Sequence, residues 1–239
     1  GMVLAEDGKK MSKSLGNYAN LIPVVEEFGA DSLRYFLLSS PVTRAEEYAF
    51  SEKMLNEINN KFFNKITNTI SFLEMYGVKN LELDLDNNFS NTNELDAWIQ
   101  IKLNILIEDV TKNLDSYQID KAAKPILDFV EELSTWYLRR CRDRFKGAED
   151  ELVTKNLLIV LITLSKVIAP FTPFMAEEIY LFVKSFANVK DVKESVHLED
   201  WSPSRDIKDF SILEKMKQTR QIVEQGLSLR NKVGIKVRQ

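Results

Sequence analysis

The sequence predicts a mainly α fold: a helical bundle preceded by a short strand, a polar loop and two shorter helices. Three observations predict it. Only 8 glycines and 6 prolines punctuate 239 residues, too few for a turn-rich sheet protein of this length. From Phe50 onward, apolar residues recur at three- and four-residue spacing over long windows. The segments between those windows are mostly short, as in a bundle, and 44% hydrophobic content supplies a core.

Met2-Val3-Leu4 reads as the end of a strand, and Glu6-Asp7-Gly8 as a turn. Pro23 suits the first turn of a short helix ended by Gly29, and Asp31 is expected to cap a second apolar helix through Leu38. Residues 39–48 read as a loop. Ser51 is the expected cap of a long helix carrying Leu55, Ile58, Phe62, Ile66, Ile70 and Leu73, with Phe50 and Leu55 as a hydrophobic staple and Gly77 as its end. Residues 78–93, rich in Asn and Asp, read as a connector. A third pattern covers residues 94–114. A fourth runs from Asp120 to Phe145 and stops at Gly147, with Pro125 expected to kink or restart it. The fifth covers residues 150–168. The sixth opens with Thr172 as cap and Pro173 at its first position, and ends near Phe186. Residues 187–206 read as a loop, 208–229 as an amphipathic helix and 234–239 as a strand.

A net charge of -4 excludes a globally basic nucleic-acid binder, so any phosphate contact needs a local patch. One cysteine, Cys141, and one histidine, His197, exclude a disulfide framework and a Cys/His zinc site within these residues. No apolar run reaches the roughly 20 residues that span a bilayer. His197 has no catalytic constellation around it. Cys141, amid arginines, is open to acidification but reads best as a plain helix residue. Glu177 and Glu178 read as first-turn carboxylates that favour the helix dipole.

Two stretches carry candidate chemistry. In Asp7-Gly8-Lys9-Lys10-Met11-Ser12-Lys13-Ser14-Leu15-Gly16-Asn17, Lys10 and Lys13 stand three apart with Ser12 and Ser14 beside them and glycines on both flanks. Two ammonium groups on a glycine-flanked loop suit neutralisation of polyphosphate oxygens; a solvated loop is the plainer alternative. The second stretch is the basic end of the fourth helix, Arg139, Arg140, Arg142, Arg144 and Lys146, with Trp136 and Tyr137 one turn earlier. Positions 139, 142 and 146 share one face, 140 and 144 an adjacent one. Guanidinium groups grip phosphates and an aromatic ring stacks on an unpaired base. Cations at a helix C-terminus also simply complement its dipole, and Trp136 is equally a core residue.

Lys10-Met11-Ser12-Lys13-Ser14 matches the KMSKS signature of class I aminoacyl-tRNA synthetases. Gly29-Ala30-Asp31-Ser32-Leu33-Arg34-Tyr35-Phe36 resembles the helix after that loop in the isoleucine, valine, leucine and methionine group, and Ala169-Pro170-Phe171-Thr172-Pro173 is shared with the valine enzymes. His197-Leu198-Glu199-Asp200-Trp201 and Gly234-Ile235-Lys236-Val237-Arg238-Gln239 resemble the isoleucine enzymes most. The resemblance implies a portion of a cytoplasmic, monomeric isoleucine-specific synthetase in three parts. Residues 1–50 would end the catalytic domain, 51–205 form the anticodon-binding bundle, and 206–239 begin a junction segment.

In this family the second lysine of the loop contacts ATP during adenylate formation. The resemblance therefore implies Lys13, helped by Lys10, as catalytic, with Met11, Ser12 and Ser14 completing the ATP-binding loop. It implies Trp136, Arg139, Arg140, Arg142, Arg144 and Lys146 as contacts to tRNA(Ile), ATP with Mg2+ and isoleucine as substrates of the full enzyme, and no metal ligand or membrane partner here. The family's HIGH signature, amino-acid pocket and editing domain do not occur in these residues, so the chain alone is expected to be inactive. A valine-specific relative, a non-catalytic RNA-binding module and a protein-binding helical scaffold are the alternatives.

Overall fold

The computed structural model describes residues 1–12, 14–17, 20–85, 93–147, 150–205, 207 and 209–235. β1 (Val3–Leu4) turns at Gly8, whose φ of 76° is open to glycine, and comes back so that Leu4 faces Lys10 in an antiparallel bridge. α1 (Leu21–Phe28) and α2 (Ala30–Leu38) come next, joined by Gly29 at φ 83°. After a 3₁₀ turn, Pro41–Arg44, the chain returns as β2 (Tyr48–Ala49), parallel to β1 in the register Val3↔Tyr48 and Leu4↔Ala49. The expected loop at 39–48 thus contains a helical turn and the start of a strand.

Asp31 does not cap its own helix; Gly29 holds that position. Its Oδ2 accepts instead from the Met175 N–H at 2.8 Å, far along the chain, and burial holds its carboxyl above the usual carboxylate range.

α3 (Glu52–Ile58), a π turn (Asn59–Phe63) and α4 (Asn64–Tyr76) form one continuous rod ending at Gly77. A Cβ at Gly77 would stand 2.7 Å from the Leu73 carbonyl oxygen. The connector contains β3 (Glu82–Leu83), which pairs in parallel with β4 (Asn188–Val189). Such two-residue strands carry no alternating pattern long enough to read.

α5 (Glu94–Asp115) is capped by the Asn93 side chain on Leu95 N–H. α6 (Ile119–Glu132), a second π turn (Leu133–Leu138) and α7 (Arg139–Lys146) make another continuous rod. Pro125 does not break it. The proline deprives only the exposed Lys121 of its intrahelical partner, and the departure from α geometry comes later, at 133–138. A π turn inserts one residue and rotates the helix beyond it; here Tyr137, Leu138 and Cys141 face inward while Arg139, Arg140 and Arg142 face out.

α8 (Glu151–Ile168), capped by Asp150 on Val153 N–H, is the axis of the core. Val153, Leu157, Leu158, Val160, Leu161, Ile162, Leu164, Val167 and Ile168 expose nothing, and a helix apolar over most of its circumference must be largely surrounded. α9 (Pro173–Phe186) and α5 pack on it, and α6 packs on α5. α10 (Ser211–Lys232) lies on α5 and buries Met216. Thr172 precedes α9 as expected, yet its hydroxyl donates back to Ile168 O; Asp31 supplies the acceptor for α9 instead. Of the expected last strand, Gly234 and Ile235 are not extended into a strand and the rest lies outside the described residues. Among the described residues no helix is long and apolar enough to cross a membrane.

Candidate nucleotide loop and nucleic-acid interface

The loop after β1 is closed by one side chain. Ser12 N–H donates to Asn17 Oδ1 at 2.8 Å, and Asn17 Nδ2 donates to Lys10 O at 3.2 Å. The amide offers both a donor and an acceptor for this; a carboxylate would face the Lys10 carbonyl with a second acceptor. Gly16 at φ 63° permits the reversal. Ser12 Oγ and Ser14 Oγ lie 2.7 Å apart. Met11 leans on the core, whereas Lys10, Ser14 and Leu15 are exposed. Lys13 lies outside the described residues. Asn17 stands at the end of the lysine-rich stretch, but nothing in composition or spacing gave it a role.

The basic helix end divides. Arg139, Arg140, Arg142 and Lys146 are exposed, with 139, 142 and 146 along one face. Arg144 leaves the set. Its Nη1 and Nη2 each reach an Asp96 oxygen at 2.9 Å and its Nε reaches Asp150 Oδ2 at 2.7 Å. Asp96 is fully buried, so a bidentate guanidinium is the partner its charge requires. Burial alone would lower the Arg144 pKa; the two carboxylates outweigh it and hold the group charged. Asp150 in turn sits below the usual carboxylate range, burial being overcome by Arg144 and the α8 N–H groups. Arg144, expected to contact tRNA, is thus bonded within the protein to both aspartates.

Trp136, also expected at tRNA, has partners within the protein. Arg140 and Arg220 stand over its ring, 4.7 and 5.3 Å from the centroid, and its Nε1–H points to Met216 Sδ at 3.1 Å. It joins α10 to the bundle and is half-buried. Arg142 stands 5.8 Å over Phe72 and remains exposed. Burial pushes the Cys141 thiol up to about 11, the reverse of acidification. His197 is an exposed residue of a 3₁₀ turn, Val196–Leu198. Glu177 lies beyond the first turn of α9, and its Oε2 accepts from Ser195 Oγ and Val196 N–H, both at 2.9 Å, pinning that turn.

A family model described as the anticodon-binding domain of tRNA ligase matches residues 96–239, more than half of the chain. The chain belongs to this anticodon-binding-domain family. Residues 1–49 match the model of tRNA synthetases class I (I, L, M and V). The isoleucine–tRNA ligases of Chlamydia pneumoniae and Chlamydia caviae are 39% and 38% identical to it; each match covers 100% of this chain and 23% of the relative. The chain therefore spans less than a quarter of the length of these curated relatives. Among solved structures, a LeuRS of Agrobacterium radiobacter K84 (agnB2), in a ternary complex with tRNA and LeuAMS, superposes over 86% of this chain and 23% of its own with a TM-score of 0.57 and 23% identity. A Mycobacterium tuberculosis methionyl-tRNA synthetase in complex with methionyl-adenylate covers 74% of this chain and 36% of its own, with a TM-score of 0.53 and 22% identity. At that identity the two structures speak for the fold alone.

The anticodon-binding domain has one more ordered region that no sequence motif marked as structural. Glu199 accepts from Lys166 Nζ at 2.7 Å, from Lys193 N–H at 2.7 Å and from the Tyr180 hydroxyl. Burial alone would raise its carboxyl; these donors hold it below the usual range. Trp201 Nε1–H donates to Thr111 at 2.8 Å. Residues 187–205 of this anticodon-binding domain are thus fixed to α5, α8 and α9. The residues around His197 carry a family likeness, but nothing in their order singles out Glu199 as the anchor.

Proposed function

We propose that this chain is part of an isoleucine–tRNA ligase and supplies two of its contacts: the ATP-facing loop at residues 10–14 and the tRNA-facing end of α7. In the whole enzyme the isoleucine carboxylate would attack the α-phosphorus of ATP, pyrophosphate would leave, and the aminoacyl group would pass to tRNA(Ile). Lys13, helped by Lys10, would meet charge developing on the phosphate oxygens. Magnesium would arrive with the nucleotide; the described residues hold no group of three or more His, Cys, Asp or Glu placed for a metal. Arg139, Arg142 and Lys146, with Arg140 beside them, would meet tRNA phosphates. The enzyme would work as a monomer in the cytoplasm.

The reading is carried by one observation: a KMSKS loop whose Lys10 and Ser14 are exposed, closed by Asn17, in a chain matched over 100% of its length by isoleucine–tRNA ligases. Lys13→Ala in the full-length enzyme should lower isoleucine-dependent ATP–pyrophosphate exchange about 100-fold or more, while the chain alone should show no exchange. In a titration of the chain with tRNA(Ile), Arg139→Glu with Arg142→Glu should weaken binding and flatten its salt dependence by about two charges. Normal exchange in Lys13→Ala would overturn the loop assignment, and a tighter preference for valine tRNA would move the chain to the valine enzymes.

A further inference from the structure

The exposed cations of α7 stand against the end of α4. The two rods run in the same direction: Lys65, near the start of α4, pairs with Glu131, and Phe72, one turn from its end, meets Phe145 edge-on at 5.1 Å. The C-terminal ends of α4 and α7 therefore lie together, and Arg142 stands 5.8 Å over the Phe72 ring. Phe72 also packs on Tyr76, with ring centroids 5.0 Å apart and a tilt of 45°. Phe145, Phe72 and Tyr76 thus make a row of three rings. The first two are buried, whereas Tyr76 is 38% exposed and Met75 beside it 69%.

A second cation follows Tyr76 in the chain. Beyond Gly77 the backbone is tied to the end of α9, Asn80 N–H donating to Phe186 O at 2.9 Å, and the exposed Lys79 holds its ammonium 5.7 Å over the Phe186 ring. Tyr76 therefore has Lys79 three residues on and Arg142 across the contact between α4 and α7. Arg139, Arg142, Lys146 and Lys79 outnumber the carboxylates of these two helix ends, Glu74 and Asp143, so the patch is positive. A partly open aromatic ring among cations matches the chemistry of unpaired RNA. Every base has a face that can stack on the ring while the cations meet the phosphates, and a duplex keeps those faces to itself.

We propose that Tyr76 is a platform on which one unpaired base of the RNA stacks, with Arg142 and Lys79 meeting phosphates beside it. This rests on the reading that the exposed cations of α7 face tRNA, and it adds a base contact to what were phosphate contacts alone. The ring comes from α4, far from the basic stretch in sequence; only the pairing of the two rods brings it there.

The test titrates the chain with two RNAs, the anticodon stem-loop of tRNA(Ile) and a fully paired duplex with the same number of phosphates. Wild type should prefer the stem-loop, and the Tyr76 ring protons should move upfield in NMR spectra when the stem-loop is added but not when the duplex is. Tyr76→Leu should weaken stem-loop binding about tenfold and bring the two affinities together, whereas Tyr76→Phe, which keeps the ring, should retain the preference. A thermal melt checks that the leucine variant is folded; if it is not, the ring-proton shift and the phenylalanine variant decide. Arg139→Glu with Arg142→Glu should weaken both RNAs, which tests the underlying reading separately. If neither RNA binds, that reading and this proposal both fall. If both bind and the charge reversals weaken them, an unmoved Tyr76 signal or a preference that survives in Tyr76→Leu overturns the platform alone.

Discussion

The loop at residues 8–17 and the helix end at residues 139–147 both gather cations, yet they fix them by different means. In the loop, Asn17 closes the backbone on itself and Lys10 is exposed. At the helix end one guanidinium, Arg144, is itself the fixture, joined to Asp96 on α5 and Asp150 ahead of α8. Its neighbours stay exposed because the π turn at Leu133–Leu138 rotates them outward. The comparison teaches that the availability of a charged side chain is decided by acidic partners elsewhere in the sequence. The density of the cluster does not decide it.

Four measurements can break or sharpen that contrast. The largest effect belongs to Asp96→Ala, which leaves Arg144 half-buried without its bidentate partner and Tyr137 without its acceptor; urea unfolding should show a loss of about 3–5 kcal/mol. A loss below about 1 kcal/mol would mean that Arg144 is as free as its neighbours. Glu199→Gln comes next, at about 1.5–3 kcal/mol at neutral pH. Because the folded state holds the Glu199 carboxyl below its ordinary value, its stabilisation is complete above the unfolded pKa of about 4.3 and fades as pH falls through the folded value. The gap between wild type and variant should therefore narrow in acid; a gap constant with pH would reject the ionised anchor. Asn17→Ala should cost the loop about 1 kcal/mol, seen as roughly fivefold faster exchange of the Ser12 amide hydrogen with little change in the global melt. Arg139→Glu with Arg142→Glu should alter stability by no more than about 0.5 kcal/mol, and a larger loss would place those arginines with Arg144.

Much of the fold was legible. Leu55, Ile58, Phe62, Ile66, Ile70 and Leu73 repeat at helical spacing and are indeed buried, and Gly29, Gly77 and Gly147 end helices where expected. The π turns were not legible, because a single inserted residue leaves the apolar rhythm nearly intact. Nor was the fate of Pro125, whose missing N–H falls opposite the carbonyl of Lys121, an exposed residue. The candidate site was half legible. Spacing put Arg139, Arg142 and Lys146 on one face, but Arg144 was withdrawn by Asp96, 48 positions away. Sequence distance also explains Trp136, held by Met216 and Arg220. Asn17 was missed for the opposite reason: its role is entirely local, a matched donor and acceptor that no periodicity reveals.

The Asp31 carboxylate carries a last consequence. It belongs to the segment matched by the synthetase model, yet it terminates a helix of the bundle, and Arg34 beside it grips the Pro170 carbonyl at 2.9 Å. Excising the first fifty residues to obtain a tidy anticodon module would strip α9 of its foreign cap and uncover Phe62, on which Tyr35 stacks. A calorimetric trace of the whole chain should accordingly melt in one cooperative step, and the trimmed version should be the more fragile protein.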